Sequence, residues 1–308
     1  MPIPDIYNQL LANQDDGLTQ NLSISKEPLV LIFSLPRGAS TLFQQLVISS
    51  LDIGYISNLV ARFWRAPYLA AKLDFSIRDP NFVSNFKSSF GNTIGPQEPH
   101  EWGWFWRHWF KLSENETYCD DPSLLDLKGL SQKLSAIQSV WSAPLLIDNI
   151  FAVSNFFILK SAIPRTLAVQ VKRNSYYVCN SHINARLKRY GDINAFYGYR
   201  PKNIKEILKI KDPIEQIVAQ IFFSESEMND TLNNIPELQK FIVEYRDISQ
   251  RPQEVLNNFV EFLQNNECRN ITCRKLPDLN LEFRDNEKYL NIEFREKLDT
   301  YYEKYFGG

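Results

Sequence analysis

Residues 37–41, Arg-Gly-Ala-Ser-Thr, have the composition of a loop that binds a phosphate-like anion. Gly38 and Ala39 are small, which lets the backbone come close to an anion, and the hydroxyls of Ser40 and Thr41 add donors. Arg37 adds a fixed positive charge with a forked set of N–H donors. The alternative interpretation is an ordinary strand-to-helix turn with a surface arginine.

The elements around this loop are predicted from hydrophobic patterning. Leu29–Phe33 is a continuous apolar run, which is typical of a strand buried on both faces of a parallel sheet. A helical pattern follows the loop, so the first N–H groups of that helix and the positive end of its dipole would face the anion. Further strands are predicted over 166–171 and 241–245, each followed by a helix.

Alternating strands and helices predict an α/β fold with a central parallel sheet flanked by helices. No shift in composition divides the chain, so we predict a single P-loop-like domain over residues 1–308, with its core in 28–308. Residues 1–27 are predicted to form a short helix and a lead-in. Residues 54–120 are predicted to be a helical, Trp-rich insertion on the acceptor side.

The loop lacks the Gly-x-x-x-x-Gly-Lys-[Ser/Thr] pattern of nucleoside triphosphatases, which disfavours a P-loop phosphotransferase. Instead, residues 36–43, Pro-Arg-Gly-Ala-Ser-Thr-Leu-Phe, resemble the 5′-phosphosulfate-binding loop of sulfotransferases that use 3′-phosphoadenosine-5′-phosphosulfate (PAPS). Their pattern is Pro-[Lys/Arg]-Ser-Gly-[Thr/Ser]-Thr-x-Leu, from which Gly38 and Ala39 depart. Bacterial and polyketide assembly-line members look most similar.

A second segment resembles the family's site for the 3′-phosphate of PAPS, which has an Arg at a strand end and a Ser eight residues later. Arg173 and Ser181 match that spacing. A guanidinium fork and a hydroxyl from one rigid helix suit a dianionic phosphate. Residues 244–263 and 301–308 also resemble family segments. Asp148 departs from the family, which often has a Lys near that place, and the Gly-rich basic C-terminal loop of cytosolic aryl sulfotransferases is absent.

The resemblance implies transfer of a sulfuryl group from PAPS to a hydroxyl or amine of a small molecule, with no metal ion. Arg37 would stabilise the developing charge, by analogy with phosphoryl transfer. A general base should take the proton of the acceptor. His100, about 63 residues after Arg37, is a candidate because imidazole titrates near neutrality, and Glu98 and Glu101 are rivals.

The remaining histidines and tryptophans have structural interpretations beside functional ones. His108 is expected on a helix face and His182 in the packing near the cofactor site. The indoles could line an apolar acceptor pocket, although we expect most of them in the core. They are Trp64, Trp102, Trp104, Trp106 and Trp109.

Composition limits the remaining possibilities. Of the 308 residues, 44% are hydrophobic and the net charge is -2, which disfavours nucleic acid as a partner. No signal peptide or apolar stretch of membrane-spanning length is visible, so we predict a cytoplasmic protein. The four cysteines lack zinc-site spacing and are expected as free thiols. They are Cys119, Cys179, Cys268 and Cys273.

Two alternatives stay open besides the sulfotransferase interpretation. The chain could be a non-catalytic protein of the same fold that binds PAPS or phosphate, or a P-loop phosphotransferase. The acceptor could be a secondary metabolite such as a polar alkaloid. In that case Glu98, Glu101 and residues 120–121 would face its positive charge. The oligomeric state is not predicted.

Overall fold

The computed structural model describes residues 5–268, 271, 273, 274, 279 and 281–307. A central sheet contains five parallel strands in the order β2-β5-β1-β6-β7, and a separate antiparallel hairpin contains β3 and β4. The strands are β1 Leu29–Phe33, β2 Gly54–Tyr55, β3 Ser88–Ser89, β4 Asn92–Thr93, β5 Leu145–Ile147, β6 Thr166–Lys172 and β7 Lys240–Glu244.

Helices connect the strands and cover both faces of the sheet. The α-helices are α1 Asp5–Thr19, α2 Ser40–Ser50, α3 Asn58–Arg62, α4 Pro67–Ile77, α5 Gly103–Trp109, α6 Leu127–Trp141, α7 Ile150–Ser154, α8 Phe156–Ala162, α9 Ser175–Tyr190, α10 Ile204–Ile207, α11 Pro213–Asn233, α12 Tyr245–Gln250, α13 Pro252–Asn265 and α14 Arg295–Phe306. Within the described ranges, no helix is long and apolar enough to cross a membrane.

Two hydrophobic cores lie on opposite faces of the sheet, because successive strand side chains point to opposite sides. In β1, Leu29, Leu31 and Phe33 enter the core shared with α5, α6, α9 and α11. Val30 and Ile32 enter the core shared with α2 and α13. All five residues are at most 2% exposed, which explains why this strand is apolar without alternation.

The α/β fold with a central parallel sheet is confirmed, and the strands predicted near 29–33, 166–171 and 241–245 are β1, β6 and β7. Tyr245 begins α12 instead of ending β7. Two strands of the central sheet were not predicted: β5 has three residues and β2 has two, which is too short for a periodic signal.

Residues 54–120, expected to be a helical insertion, contain α3, α4 and α5, joined by loops and by the β3–β4 hairpin. They also contribute β2 to the edge of the main sheet, paired with β5. The helix expected within 1–27 is α1. Residues 1–4 of the predicted lead-in and Gly308 of the predicted C-terminal motif lie outside the described residues.

Candidate functional site

A cavity of about 1240 Å³ opens at the carboxyl edge of the sheet. Parallel strands end at one edge, so the residues that follow them converge there, as in other open α/β sheets. The predicted site residues that line this cavity are Arg37, Ala39, Ser40, Thr41, Glu101, Arg173 and Ser181. Gly38 lines a smaller pocket of about 370 Å³, which also includes Arg173.

The loop after β1 presents the start of α2 to the cavity. Ala39 precedes the helix in the left-handed conformation, with φ of 78°, and makes no side-chain cap. The first backbone hydrogen bond of the helix runs from Phe43 N to Ala39 O at 3.1 Å. Helix geometry therefore leaves the N–H groups of Ser40, Thr41 and Leu42 without intrahelical acceptors. This arrangement suits an anion.

Gly38 has no room for a side chain. A Cβ there would lie 2.3 Å from Ser34 Oγ and 2.7 Å from Leu35 O, while Gly38 N donates to that carbonyl at 2.7 Å. Arg37 and Ala39 both have positive φ, of 71° and 78°. The tight turn thus accepts alanine at position 39, where the family pattern has glycine. A non-glycine residue in the left-handed conformation costs about 1–2 kcal/mol.

Arg37, Arg173 and Ser181 form one connected group beside this loop. Arg37 Nε donates to Ser181 Oγ at 3.1 Å, and Arg173 donates from a terminal nitrogen to the Arg37 carbonyl at 2.6 Å. Burial lowers the pKa of Arg37, and the nearby charge of Arg173 lowers it further. Both arginines line the cavity, where their guanidinium groups suit an oxyanion.

Arg173 is already paired with a carboxylate that the sequence analysis did not identify. Asp285 Oδ1 accepts from Arg173 Nε at 2.8 Å and from a terminal nitrogen at 2.6 Å. Asp285 lies in residues 281–289, which we call the C-terminal strap. The strap is fixed by Tyr245, whose hydroxyl donates to Glu282 O at 3.1 Å and accepts from Arg284 N at 3.1 Å.

Glu101 and Asp148 form a carboxyl pair in the cavity, and Asp148 lies beside the phosphate loop at Ser40. Asn149 Nδ2 donates to Glu101 O at 2.6 Å, which holds the two segments together. Glu101 is exposed to the cavity but surrounded by protein, and burial together with the Asp148 charge raises its pKa. Burial also raises the pKa of Asp148, whereas a hydrogen bond with Ser40 lowers it. Two neighbouring carboxyls favour sharing one proton.

Glu98 and His100, the other predicted bases, are not among the described residues that line the cavity. Glu98 is 3% exposed and accepts from Gln45 Nε2 at 3.1 Å, Ser84 Oγ at 2.7 Å and Asn85 N at 2.7 Å. His100 Nδ1 accepts from Trp102 N at 2.7 Å. Through these hydrogen bonds, both side chains help to fix the chain segment around residues 98–102.

The β3–β4 hairpin closes over the site. Phe90 and Gly91 form its two-residue turn, and both have positive φ, the pattern of a type I′ turn. The Phe90 ring lies 5.4 Å from the Arg37 guanidinium. A Cβ on Gly91 would lie 2.3 Å from Glu101 Oε1. The sequence analysis did not identify this hairpin, whose Phe-Gly pair is a weak turn signal.

His182 supports the phosphate loop from inside the protein. It is fully buried, and its Nε2 lies 3.0 Å from Pro36 O. Burial lowers its pKa to about 3, so the neutral ring donates from Nε2 to that carbonyl. Arg186 on the same helix is also fully buried and donates to Gln216 Oε1 at 2.9 Å, so it belongs to the packing of α9 on α11.

The tryptophans follow the core interpretation. Trp102 and Trp106 are at most 1% exposed, and Trp102 stacks on Phe105 with ring centroids 3.6 Å apart. Trp104 is 58% exposed. His108 lies on α5, as expected. Within the part of the chain that the structure describes, no indole lines the cavity and no three His, Cys, Asp or Glu residues cluster for a metal ion.

The fold has counterparts among solved structures. The sulfotransferase STF1 from Mycobacterium tuberculosis H37Rv matches with a TM-score of 0.53 and 13% identity, over 86% of this chain and 76% of that one. The sulfotransferase STF9 from Mycobacterium avium matches with a TM-score of 0.52 and 14% identity, over 94% and 81%. Neither a protein-family model nor a curated protein sequence matches. The chain therefore has the fold of bacterial sulfotransferases, which confirms the predicted resemblance at the level of fold.

Proposed function

We propose that this protein is a sulfotransferase that transfers a sulfuryl group from PAPS to a hydroxyl of a small molecule. One observation carries the proposal: a phosphate loop with Arg37, Arg173 and Ser181 shares a single cavity with the carboxyl pair Glu101 and Asp148. The loop and its arginines suit a donor with two anionic ends, and the carboxyl pair suits removal of a proton from an acceptor.

The residues around the loop fit PAPS. The free N–H groups at the start of α2, the Ser40 hydroxyl and Arg37 would hold the 5′-phosphosulfate. Arg173 and Ser181 would hold the 3′-phosphate, which requires Asp285 to release the Arg173 guanidinium. The Tyr245 ring, 4.9 Å from that guanidinium, offers a flat surface for the adenine.

When bound, PAPS supplies the sulfuryl group: the acceptor oxygen bonds to sulfur, the bond from sulfur to the 5′-phosphate oxygen breaks, and that oxygen keeps the electron pair. Arg37 and the start of α2 stabilise the resulting charge. Glu101 takes the proton of the hydroxyl, and Asp148 raises the pKa of Glu101 so that it is a stronger base. We propose Glu101 over His100 and Glu98 because it faces the cavity.

The test is titration calorimetry with the product nucleotide 3′-phosphoadenosine 5′-phosphate (PAP) and with ADP. We expect PAP to bind at least about tenfold more tightly, since a charge-assisted hydrogen bond contributes about 1.5–3 kcal/mol. Ser181→Ala should reduce the preference for PAP over ADP, and Arg173→Ala should abolish it. Arg246→Ala, which changes an exposed residue of α12, is the matched control. Equal affinities for PAP and ADP in the unchanged protein would overturn the proposal.

A second assay separates an enzyme from the non-catalytic alternative. Transfer of labelled sulfate from PAPS to simple phenols should occur with the unchanged protein and should be lost in Glu101→Gln, while PAP still binds. Tight PAP binding with no transfer to any hydroxyl compound would favour the binding protein of the same fold.

A further inference from the structure

Three cations lie in the cavity away from the donor residues. Lys188 and Arg189 are on α9, seven and eight residues beyond Ser181, which places them about 10 Å further along the helix. Arg200 follows the loop after α9 and lines the same cavity. We call Lys188, Arg189 and Arg200 the distal cations.

Among the described residues, no distal cation has a carboxylate partner within ion-pair distance. Arg189 instead lies 5.7 Å from the Tyr190 ring and 5.8 Å from the Tyr197 ring. Arg200 lies 4.8 Å from the Phe196 ring. Guanidinium groups placed on aromatic faces keep their N–H edges available for an oxyanion.

Two acids that line the cavity, Glu114 and Glu116, lie near Arg107. Glu116 accepts from Ser113 N at 2.7 Å. Glu114 lies near Arg107, whose pKa is lowered by burial, raised by the Glu114 charge and lowered by the Arg200 charge. The proximity of Arg107 and Arg200 places two positive charges on one side of the cavity.

The distal cations also act on the proposed base. The positive charge of Arg189 lowers the pKa of Glu101 and the pKa of Tyr197, although burial raises both overall. Arg189 and Glu101 also line the same cavity, which places a cation and the proposed base around one ligand site. Aromatic rings occupy the space around them: Phe90, Phe151, Tyr197 and Tyr199 line the cavity.

We infer that the acceptor is an aromatic hydroxyl compound that also carries an oxyanion, held by Arg189 and Arg200 while its hydroxyl reaches Glu101. This inference rests on the proposed function and deepens it by naming the substrate class. It replaces the cationic acceptor expected from the acidic residues of the sequence. An acceptor with a positive group would place that group near Lys188, Arg189 and Arg200, which costs binding energy.

The experiment compares three phenols of similar length that differ in charge: a phenol with a para-propionate group, para-propylphenol and tyramine. Binding of each is measured by calorimetry with the protein saturated with PAP, and sulfate transfer is measured from PAPS. We expect the propionate to bind at least about tenfold more tightly than the neutral phenol, and tyramine to bind least well.

Arg189→Gln and Arg200→Gln should each raise the ratio of KM for the propionate to KM for the neutral phenol about tenfold, because only the propionate contacts these arginines through a charge. Arg62→Gln, an exposed arginine away from the cavity, is the control and should not change this ratio. Equal or weaker binding of the propionate, in a protein that prefers PAP over ADP, overturns the inference and leaves the proposed function standing. If the protein shows no preference for PAP over ADP, both the inference and the proposed function are overturned.

Discussion

At the scale of single residues, the proposed chemistry depends on two carboxyl groups whose protonation is coupled. Glu101 and Asp148 are far apart in sequence, yet the Asp148 charge raises the pKa of Glu101, and burial raises the pKa of both carboxyls. An ionised carboxyl in this setting is a stronger base than a solvated one. Ionisation of this pair therefore lowers the stability of the folded state, while the ionised carboxyl is a stronger base.

The first prediction concerns pH and Glu101. Because its folded-state pKa is raised above the ordinary 4.5, transfer should fall as pH is lowered, with a midpoint above that value. Glu101→Gln should abolish transfer at every pH. Rates measured from about pH 5 to pH 9 at saturating PAPS would show this, and a pH-independent residual rate in Glu101→Gln would contradict the assignment.

The same shift predicts the sign of a stability effect. A raised folded-state pKa means that the folded protein holds its proton more tightly than the unfolded chain, so stability is lost as pH rises through that pKa. Glu101→Gln should therefore be more stable than the unchanged protein near about pH 9 and gain little near about pH 5. Urea unfolding at both pH values measures the difference in stability between Glu101→Gln and the unchanged protein. A difference of the same size at both pH values would contradict the prediction.

The second prediction concerns the phosphate loop. Gly38→Ala should destabilise the fold by about 1–3 kcal/mol and prevent PAP binding, because the new Cβ overlaps Ser34 Oγ and Leu35 O. Ala39→Gly is the matched control: relief of the left-handed strain offsets the added chain entropy, so its stability should change by less than about 1 kcal/mol. Thermal unfolding and calorimetry measure both. Unimpaired PAP binding by Gly38→Ala would contradict the proposed close approach.

At the scale of elements, the hairpin and the strap contact different arginines of the cavity. The hairpin places Phe90 on Arg37 and Gly91 against Glu101, beside the reacting groups. The C-terminal strap places Asp285 on Arg173, beside the proposed 3′-phosphate site. The hairpin has strands of only two residues, and the strap has an irregular backbone. Such segments move more easily than strands of the central sheet.

The third prediction concerns the strap. Asp285→Asn should increase PAP affinity about tenfold, because the carboxylate no longer competes with the 3′-phosphate for Arg173. It should also lower the stability of the protein without ligand, since Arg173 loses its charged partner. Glu282→Gln on the same strap is the control, as Glu282 is half-exposed and pairs with Arg284. Weaker PAP binding by Asp285→Asn would show instead that Asp285 positions Arg173 for the donor.

At the scale of the whole molecule, the sheet brings the site together. Asp148, Arg173 and Tyr245 each directly follow a strand, and the phosphate loop follows the central strand β1. The order β2-β5-β1-β6-β7 makes these strand ends neighbours on one edge. Donor binding should therefore stabilise the whole fold through several strands at once.

The fourth prediction follows from that linkage. PAP at about 100 times its Kd should stabilise the folded state by about 2.7 kcal/mol, and ADP should stabilise it less at the same concentration. The difference in Tm between the two nucleotides should shrink as salt is added, because screening weakens the contacts of the 3′-phosphate with Arg173. Thermal scans with each nucleotide at low and high salt measure this. A Tm difference independent of salt would contradict an electrostatic 3′-phosphate site.

The sequence by itself determined the features that depend on neighbours along the chain. The apolar run Leu29–Phe33, the small residues 38–39 and the helical spacing from Arg173 to Ser181 each predict local geometry, because strand burial, turn size and helix pitch are set within a few residues. The fold class follows from the alternation of such segments. The resemblance of residues 36–43 to a phosphosulfate loop also needs no tertiary information.

Only the tertiary structure decided which distant side chains meet. Sequence reasoning favoured His100 as the base, with Glu98 and Glu101 as rivals, whereas of these three only Glu101 lines the cavity. Asp148 joined it through β5, a three-residue strand with no periodic signal, and Asp285 reached Arg173 across 112 residues. Such contacts depend on the order of strands in the sheet and on the path of irregular segments, which no local pattern specifies.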